Sequence, residues 1–157
     1  MDDIDTSLLE LLQEDDRLSY VELGGRVGLS VSGVNARLRK LSAAGYIRAF
    51  AAQLVPERLG LVLCAFIQVV LERPEHDEPF LEGVLQNPAI LECHHITGEF
   101  SYLLKIRVAN TSSLERVISE EVKRLPGVAR THTVIALSSP KETTRLDLRE
   151  SKRRSSA

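Results

Sequence analysis

Residues 27–40 read VGLSVSGVNARLRK, and this stretch carries the signals that decide the fold of the N-terminal part of the chain. Gly28 lies where one helix must end and the chain must reverse, because glycine tolerates the positive φ of such a turn. Ser30 can cap the next helix, in which Val34, Leu38 and Leu41 recur at helical spacing. A turn this short forces the two helices to cross steeply, so the stretch predicts a helix-turn-helix.

Two further helices are predicted before this stretch. Four apolar residues at helical spacing indicate a first helix that ends near residues 15–16: Ile4, Leu8, Leu11 and Leu12. The capping-box pattern Ser19-x-x-Glu22 opens a second, short helix that runs to Val27. Glycine inside a helix lowers the stability of the helix relative to alanine. We therefore expect close packing at the helix crossing to explain Gly24 and Gly25.

The chain after the third helix favours extended structure. Residues 46–55, YIRAFAAQLV, are β-prone and predict a strand or wing that returns beside the helices. Residues 56–60, PERLG, then have the composition of a hinge.

Charge is segregated along the chain, although the formal net charge is only −2. Residues 1–16 contain seven acids and no base, whereas residues 25–50 contain five bases and no acid. An overall charge near zero does not exclude a nucleic-acid partner, because the location of the charges decides it. The acid-free span coincides with the predicted third helix, which indicates contact with double-stranded DNA.

The outer surface of the third helix suits the major groove of DNA. Its N-terminal half carries short side chains that allow close approach, and Asn35 and Arg37 can form bidentate contacts to base edges. Arg39, Lys40 and Arg48 are placed to contact phosphates. The alternative is a three-helix bundle with a solvated basic face. The predicted DNA contacts are Ser30, Ser32, Gly33, Asn35, Ala36, Arg37, Arg39, Lys40 and Arg48.

From residue 61 the pattern changes to alternating strands and helices. Strands are predicted at 61–71, 90–96, 102–108 and 129–137, and helices at 79–85 and after the capping-box pattern Ser112-x-x-Glu115. The order β-α-β-β-α-β is that of the ferredoxin-like unit. The predicted fold class is therefore α+β, with an N-terminal winged helix-turn-helix followed by a ferredoxin-like βαββαβ domain.

The first strand of this second domain has two apolar faces. One face would pack on the helices, and the other offers Val62, Cys64, Phe66, Gln68 and Val70, which is too apolar for a sheet surface left in water. Because the helices of this topology cover only one face, we expect a second copy to bury the other, giving a homodimer or a higher assembly.

The combination resembles the leucine-responsive/asparagine-regulator (Lrp/AsnC, feast/famine) family of transcription factors. The residues that carry the resemblance are IDTSLLELLQEDDRLSYVELGGRVGLS, ARLRKLSAAGYIRAF, ECHHITGEFSYLLKIRV and LPGVARTHTVIAL. The resemblance implies a DNA-binding domain at 1–50, a linker strand or hinge at 51–60, an effector-binding and oligomerisation domain at 61–148, and a basic tail at 149–157. It further implies sheet-mediated dimers, which often assemble into octamers.

The resemblance also implies an amino-acid effector near the dimer interface, around the loop of Thr97, Gly98, Glu99, Phe100 and Ser101. The family often has a second acid where this chain has Ser101, so one charge-assisted contact to an ammonium group is missing. Glu99 can compensate, and Thr131 and Thr133 on the last strand are weaker candidates for the same site. The alternative is a hairpin turn without a ligand.

No metal site or cofactor is expected. In Cys93-His94-His95, at most two side chains share one face of a strand, so a metal site would need further ligands from neighbouring strands. Nucleophile-elbow, Rossmann and Walker A motifs are absent, and we do not expect an enzyme. Two alternatives stay open: the plan also resembles siroheme decarboxylases, for which His94, His95 and His132 are candidates, and an effector-independent DNA-compacting protein.

The remaining features concern location. The longest apolar run, residues 59–71, contains Gln68 and is shorter than the roughly 18–20 residues of a membrane span, so no membrane partner is expected. The N-terminus lacks a signal-peptide pattern, and the two cysteines fit free thiols in a reducing cytoplasm. The basic ending is predicted to be a disordered solubilising tail, with a DNA-contacting arm as the alternative.

Overall fold

The computed structural model describes residues 1–148, so the predictions for the tail at 149–157 lie outside the described residues. The chain forms two compact units. The first unit comprises residues 1–53 and, within the described chain, 142–148; the second comprises residues 54–141. Residues 142–148, which the sequence-based division placed with the second domain, thus group with the first unit.

Three helices form the first unit: α1 (Asp3–Glu14), α2 (Tyr20–Val27) and α3 (Val31–Ala43). The Ser19–Glu22 capping box is present as predicted, and the Ser30 side chain accepts a hydrogen bond from the Gly33 N–H as the N-cap of α3. The helices enclose a small core of fully or almost fully buried side chains: Leu8, Leu23, Val34, Leu38 and Leu41.

The turn between α2 and α3 is built on two glycines. Gly28 ends α2 with φ +71°, the left-handed conformation that the sequence predicted. At Gly24, the Leu29 N–H donates to the Gly24 carbonyl at 2.9 Å, and a Cβ on Gly24 would lie 2.4 Å from the Leu29 carbonyl oxygen. The close packing expected at the crossing is confirmed for Gly24. A Cβ on Gly25 would meet nothing within 4 Å, so the crossing does not explain that glycine.

The strand predicted after α3 is not formed. Residues 47–55 are irregular, and only Ile47 packs against the core, while Phe50 and Leu54 are exposed. A strand needs a neighbour to satisfy its backbone groups, and no strand lies within the described residues of the first unit. The hinge sequence forms a 3₁₀ turn, Pro56–Leu59.

The second unit is a four-stranded antiparallel sheet with its helices on one face, and the predicted βαββαβ order is confirmed. The strands are β1 (Leu63–Leu71), β2 (Ile90–His95), β3 (Tyr102–Val108) and β4 (Val128–Ala136), in the spatial order β2-β3-β1-β4. A 3₁₀ turn, Pro74–His76, precedes helix α4 (Asp77–Gln86). Helix α5 (Thr111–Arg116) continues as π-helical turns over Val117–Val122.

The cap of α5 differs from the prediction. Asn110, rather than Ser112, is the N-cap, and its Oδ1 accepts from the Ser113 N–H at 2.9 Å. An asparagine side-chain oxygen caps a helix as well as a serine oxygen does, and α5 therefore begins directly after Asn110.

The two faces of β1 differ in burial. Ala65, Ile67 and Val69 are fully buried in the core under α4 and α5. Phe66 and Gln68 lie half-buried on the other face, which we call the open face. That face continues onto β4, because Phe66 is registered with Val134, which is 47% exposed.

The two glycines of α2 provide a matched test of the crossing. We expect Gly24→Ala to destabilise the first unit by about 1–3 kcal/mol, because the added methyl group meets backbone that cannot move independently. Gly25→Ala should instead stabilise it by about 0.5–1 kcal/mol through helix propensity. Thermal unfolding of the two full-length variants, followed by far-UV circular dichroism, checks this, and equal effects would contradict the packing account.

Candidate nucleic-acid interface and effector loop

Helix α3 presents a surface of small and basic side chains. Ser32, Asn35, Ala36, Arg39 and Lys40 are all exposed, and no ion pair within residues 1–148 engages Arg39 or Lys40. The surface therefore combines short side chains, which permit close approach, with cations that no described acid engages.

The start of α3 is fixed by its cap. Ser30 Oγ accepts from the Gly33 N–H at 3.2 Å and lies 3.0 Å from Ser32 Oγ. Gly33 is half-buried, and a Cβ there would lie 3.4 Å from Ser30 Oγ. The predicted residues Ser30 and Gly33 thus shape the helix N-terminus, while Ser32 points a second hydroxyl group toward the same end.

Arg37 is placed differently from the expectation that it reads a base edge. Its Nη1 donates to Asp2 Oδ2 at 2.6 Å and to Asp5 Oδ1 at 2.7 Å. Its side chain is only 30% exposed. The guanidinium therefore bridges α3 to the capped N-terminus of α1. Two of the seven N-terminal acids, Asp2 and Asp5, pair with it.

The pKa of the Asp2 carboxyl is lowered by this arrangement. The hydrogen bond that the Asp5 N–H donates to this carboxylate lowers the pKa most, and the hydrogen bond from the Arg37 side chain lowers it further. The pKa of Arg37 is raised mainly by Asp2, with a further contribution from Asp5. Both shifts favour the charged pair, because hydrogen bonds to a charged group stabilise its charged form.

The last predicted phosphate contact, Arg48, lies in the irregular segment after α3. Its side chain is exposed, and within the described chain no ion pair engages it. It belongs to the same unit as Arg39 and Lys40.

The predicted effector loop connects β2 and β3 and is tied to the sheet by its ends. The Ile96 N–H donates to the Ser101 carbonyl at 2.9 Å, and the Ser101 N–H donates to the Val69 carbonyl at 2.8 Å. Gly98 has φ +112°, which an L-residue adopts only under strain. Thr97 and Glu99 are exposed at the loop tip.

Two residues that the sequence analysis did not assign to the effector site meet this loop. Arg130 of β4 forms an ion pair with Glu99 and lies over the Phe100 ring, with its Cζ 5.2 Å from the ring centroid. The His132 ring centroid is 6.1 Å from that of Phe100. The loop and β4 therefore form one cluster of an acid, a base and two rings, which we call the loop cluster.

Thr131 and Thr133 do not join the loop cluster. Thr131 is registered with Val69 and Thr133 with Ile67, so both threonines lie on the helix-facing side of the sheet. Successive residues of a strand point to opposite faces, so a shift of one position along β4 selects the opposite side of the sheet. Arg130 is registered with Val70 and His132 with Gln68, so both lie on the open face. The two-residue periodicity of β4, combined with the faces of β1, could have identified them from the sequence.

Comparison with known proteins agrees with this architecture. The family model described as Lrp/AsnC ligand binding domain matches residues 64–146, and the model described as winged helix-turn-helix DNA-binding matches residues 1–48. The chain belongs to the Lrp/AsnC family. It is a DNA-binding transcriptional regulator with a ligand-binding domain.

Individual members of the Lrp/AsnC family match along most of the chain. The leucine-responsive regulatory protein of Escherichia coli K12 is 39% identical over 148 residues, which cover 93% of this chain and 90% of that protein. A transcriptional regulator of Neisseria meningitidis, crystallised as a complex with L-Met, superposes with a TM-score of 0.89 at 35% identity, covering 96% of this chain and 98% of that one. E. coli AsnC superposes with a TM-score of 0.85 at 25% identity, covering 92% and 97%.

The histidines of this Lrp/AsnC-family chain do not converge. His94 contacts Glu92 at 3.2 Å, and His95 stacks on Tyr102 with centroids 4.9 Å apart. Both lie on β2, whereas His132 lies on β4 at the opposite edge of the sheet. Strands β3 and β1 thus separate His132 from the other two histidines that the decarboxylase alternative would need.

Neither a metal-binding cluster nor a membrane-spanning helix is present within residues 1–148. No group of three or more His, Cys, Asp or Glu side chains could hold a metal ion in that part of the chain. Burial raises the pKa of the Cys93 thiol. No helix within the described residues is long and apolar enough to cross a membrane.

The Asp2–Arg37 contact makes the first unit sensitive to acid. Because the pKa of Asp2 is lowered on folding, its stabilising contribution is present above its ordinary value of 3.8 and is lost as the pH falls through the lower folded value. Asp2→Asn keeps a capping oxygen but removes the charge. We therefore expect the melting temperatures of this variant and the wild type to converge as the pH is lowered below 3.8.

The control is Asp3→Asn, which changes a first-turn acid that makes no ion pair with Arg37. Melting temperatures measured across the acid range check the prediction. A constant difference between Asp2→Asn and the wild type would contradict it.

Proposed function

We propose that this protein binds specific DNA sequences by inserting α3 into the major groove. The observation that carries the proposal is the exposed surface of α3, where short side chains lie beside cations that form no ion pair with any described residue, on a helix held by the Gly24–Leu29 contact. A helix of this kind can approach base edges closely while its cations bind phosphates.

The residues of α3 divide by chemistry. Asn35 is the base reader, because its amide can donate to and accept from an adenine edge at once. Ser32 and Ala36 allow the approach, and Arg39, Lys40 and Arg48 bind phosphates on either side. Arg37 acts as a positioning residue in this proposal, since its guanidinium is engaged by Asp2 and Asp5.

Two substitutions separate base reading from phosphate binding. With a duplex from the protein's own upstream region, Asn35→Ala should cost about 1–3 kcal/mol of discrimination at one base position. Lys40→Ala should weaken binding to all sequences and lower the salt slope of log K by about 1.

The control for Lys40→Ala is Lys123→Ala, which removes an exposed lysine from the second unit. Fluorescence anisotropy at several salt concentrations checks both variants. If both bind like the wild type, α3 is not the reader. A wild type without any sequence preference would favour the DNA-compacting alternative.

We further propose that an amino acid binds at the loop cluster. A zwitterion carries a carboxylate and an ammonium group, and Arg130 and Glu99 offer one partner for each. Both side chains are more than half exposed and therefore within reach of a ligand. Phe100 supplies an apolar ring for the ligand side chain, and the Neisseria regulator, a relative of 35% identity, was crystallised with L-Met.

A thermal-shift panel of the standard amino acids tests this proposal. A ligand present at about 100 times its Kd should stabilise the wild type by about 2.7 kcal/mol and raise its melting temperature. Arg130→Gln should abolish the shift, whereas Arg124→Gln, a change at an exposed arginine outside the cluster, should keep it. If no amino acid shifts the wild type, the loop is a plain turn.

We propose that the open face forms a homodimer, with the octamer as a higher assembly. Phe66 lies between Lys105 of β3 and Val134 of β4, and the Lys105–Glu92 pair at 2.9 Å borders this centre. An apolar centre with charged groups around it is the usual anatomy of an interface. The two free cysteines fit the cytoplasm as the place of action.

The assembly is tested at the centre of the open face. We expect the wild type to sediment as a dimer or an octamer at micromolar concentration, and Val134→Lys to shift it toward monomer. The control is Val21→Lys, which adds the same charge at a 69% exposed valine of α2. A stable wild-type monomer would contradict the proposal.

A further inference from the structure

A cleft with a volume of about 430 Å³ lies within the first unit. Its walls come from the end of α1, the start of α2, the last turns of α3 and the segment that follows α3. The most buried of its lining residues are apolar: Leu38 is 5% exposed, and Leu12 and Leu18 are half-buried. Small-molecule sites have volumes of about 300–1,000 Å³ and linings of this kind, so the cleft has the dimensions of a ligand site.

Two aromatic side chains that line the cleft are open to solvent. Tyr20 at the start of α2 is 43% exposed, and Phe50 in the irregular segment after α3 is 56% exposed. Burying an exposed aromatic ring stabilises a complex, because such a ring offers a large apolar area together with a flat face. The two rings therefore provide apolar surface that a bound molecule can cover.

The cleft also contains an acid and a base that do not pair with each other. Asp16 follows the end of α1, Arg39 lies on α3, and both residues are exposed. Neither takes part in an ion pair with any described residue. Ser42 lies three residues after Arg39, on the same side of α3, and adds a hydroxyl group. Opposite charges held apart beside apolar surface match a ligand that carries an ammonium group, a carboxylate and apolar groups.

We propose that the cleft binds a zwitterionic dipeptide with apolar side chains. The terminal carboxylate binds Arg39, the terminal ammonium group binds Asp16, and the side chains of the dipeptide cover Tyr20 and Phe50. A free amino acid carries both charges on one Cα atom, whereas a dipeptide separates them by a further residue of about 3.3–3.6 Å. The dipeptide also has two side chains for the two rings. The cleft shares no residue with the loop cluster, which belongs to the second unit.

Arg39 connects this site to DNA binding, and this part of the inference rests on the function proposed above. A guanidinium that holds the carboxylate of a dipeptide has its charge neutralised and no longer attracts a phosphate of DNA. Dipeptide and DNA therefore compete for Arg39. By thermodynamic linkage, each weakens the binding of the other by the same factor.

The first test measures dipeptide binding without DNA. Leucyl-phenylalanine is titrated into the full-length Arg130→Gln variant by isothermal calorimetry, because that change removes binding at the loop cluster. We expect the dipeptide to bind, whereas free leucine and free phenylalanine do not. N-acetylation or C-terminal amidation of the dipeptide removes one terminal charge. Each should weaken binding about tenfold, because one charge-assisted contact is lost.

Substitutions in the same background locate the site. Arg39→Gln should weaken dipeptide binding about tenfold for the same reason, and Ser42→Phe should abolish it by filling the cleft. The matched controls are Arg26→Gln, at an exposed arginine of α2, and Ala43→Phe, at the exposed residue that follows Ser42. Neither control residue lines the cleft, so both variants should keep the affinity of the Arg130→Gln parent.

The second test measures the competition with DNA by fluorescence anisotropy, on a duplex from the protein's own upstream region. Saturating dipeptide should lower the salt slope of log K for the Arg130→Gln variant by about 0.9, because one phosphate contact is lost. The effect should be equal on a random-sequence duplex, since phosphates carry no sequence information. Adding Arg39→Gln should remove the response to the dipeptide.

Three results would overturn the inference: no binding of leucyl-phenylalanine by the Arg130→Gln variant, equal binding of a free amino acid, or binding that survives both Arg39→Gln and Ser42→Phe. A salt slope that stays unchanged with bound dipeptide would overturn the competition for Arg39. The proposed DNA-binding function is read separately. If neither duplex is bound in the absence of dipeptide, that function fails, while the calorimetric titrations still decide whether the cleft binds the dipeptide.

Discussion

The close approach of Gly24 to Leu29 is the constraint on which the DNA-binding unit depends. With 2.4 Å between the position of a Cβ on Gly24 and the Leu29 carbonyl oxygen, only glycine fits at the crossing of α2 and α3. This contact sets the direction in which α3 leaves the turn. It therefore decides that Val34, Leu38 and Leu41 are buried while Ser32, Asn35 and Arg39 face outward.

Local signals predicted most of the fold, and long-range contacts account for most of the differences. Helical and strand periodicity, the Ser19 and Ser30 caps and the glycine turn each depend on residues close in sequence, and they were confirmed. The strand predicted over residues 46–55 was wrong because a β-prone segment cannot reveal whether a partner strand exists. The engagement of Arg37 with Asp2 and Asp5 spans more than thirty residues, and charge counts along the chain cannot assign such partners.

The loop cluster shows the same difference between local and long-range signals. The sequence analysis selected Thr131 and Thr133, whereas the residues of β4 that meet the loop are Arg130 and His132, each one position away along the strand. In the proposed mechanism an amino acid replaces the Glu99–Arg130 ion pair with its own contacts to both side chains. It can shift the equilibrium between two states of the assembly only by the difference in its binding free energy for them. With Ser101 in place of the second acid, Glu99 is the carboxylate that this chain offers to the ammonium group, and Arg130 is the cation that it offers to the carboxylate.

The central claim is that an assembly of α3 helices reads specific DNA and responds to a small molecule. Footprinting on the protein's own upstream region, with and without a panel of amino acids, tests it most directly. We expect protected half-sites spaced by about one helical turn of 10–10.5 base pairs or a multiple of it, and a pattern that at least one amino acid alters. Protection without preferred positions, unchanged across the whole panel, would contradict it.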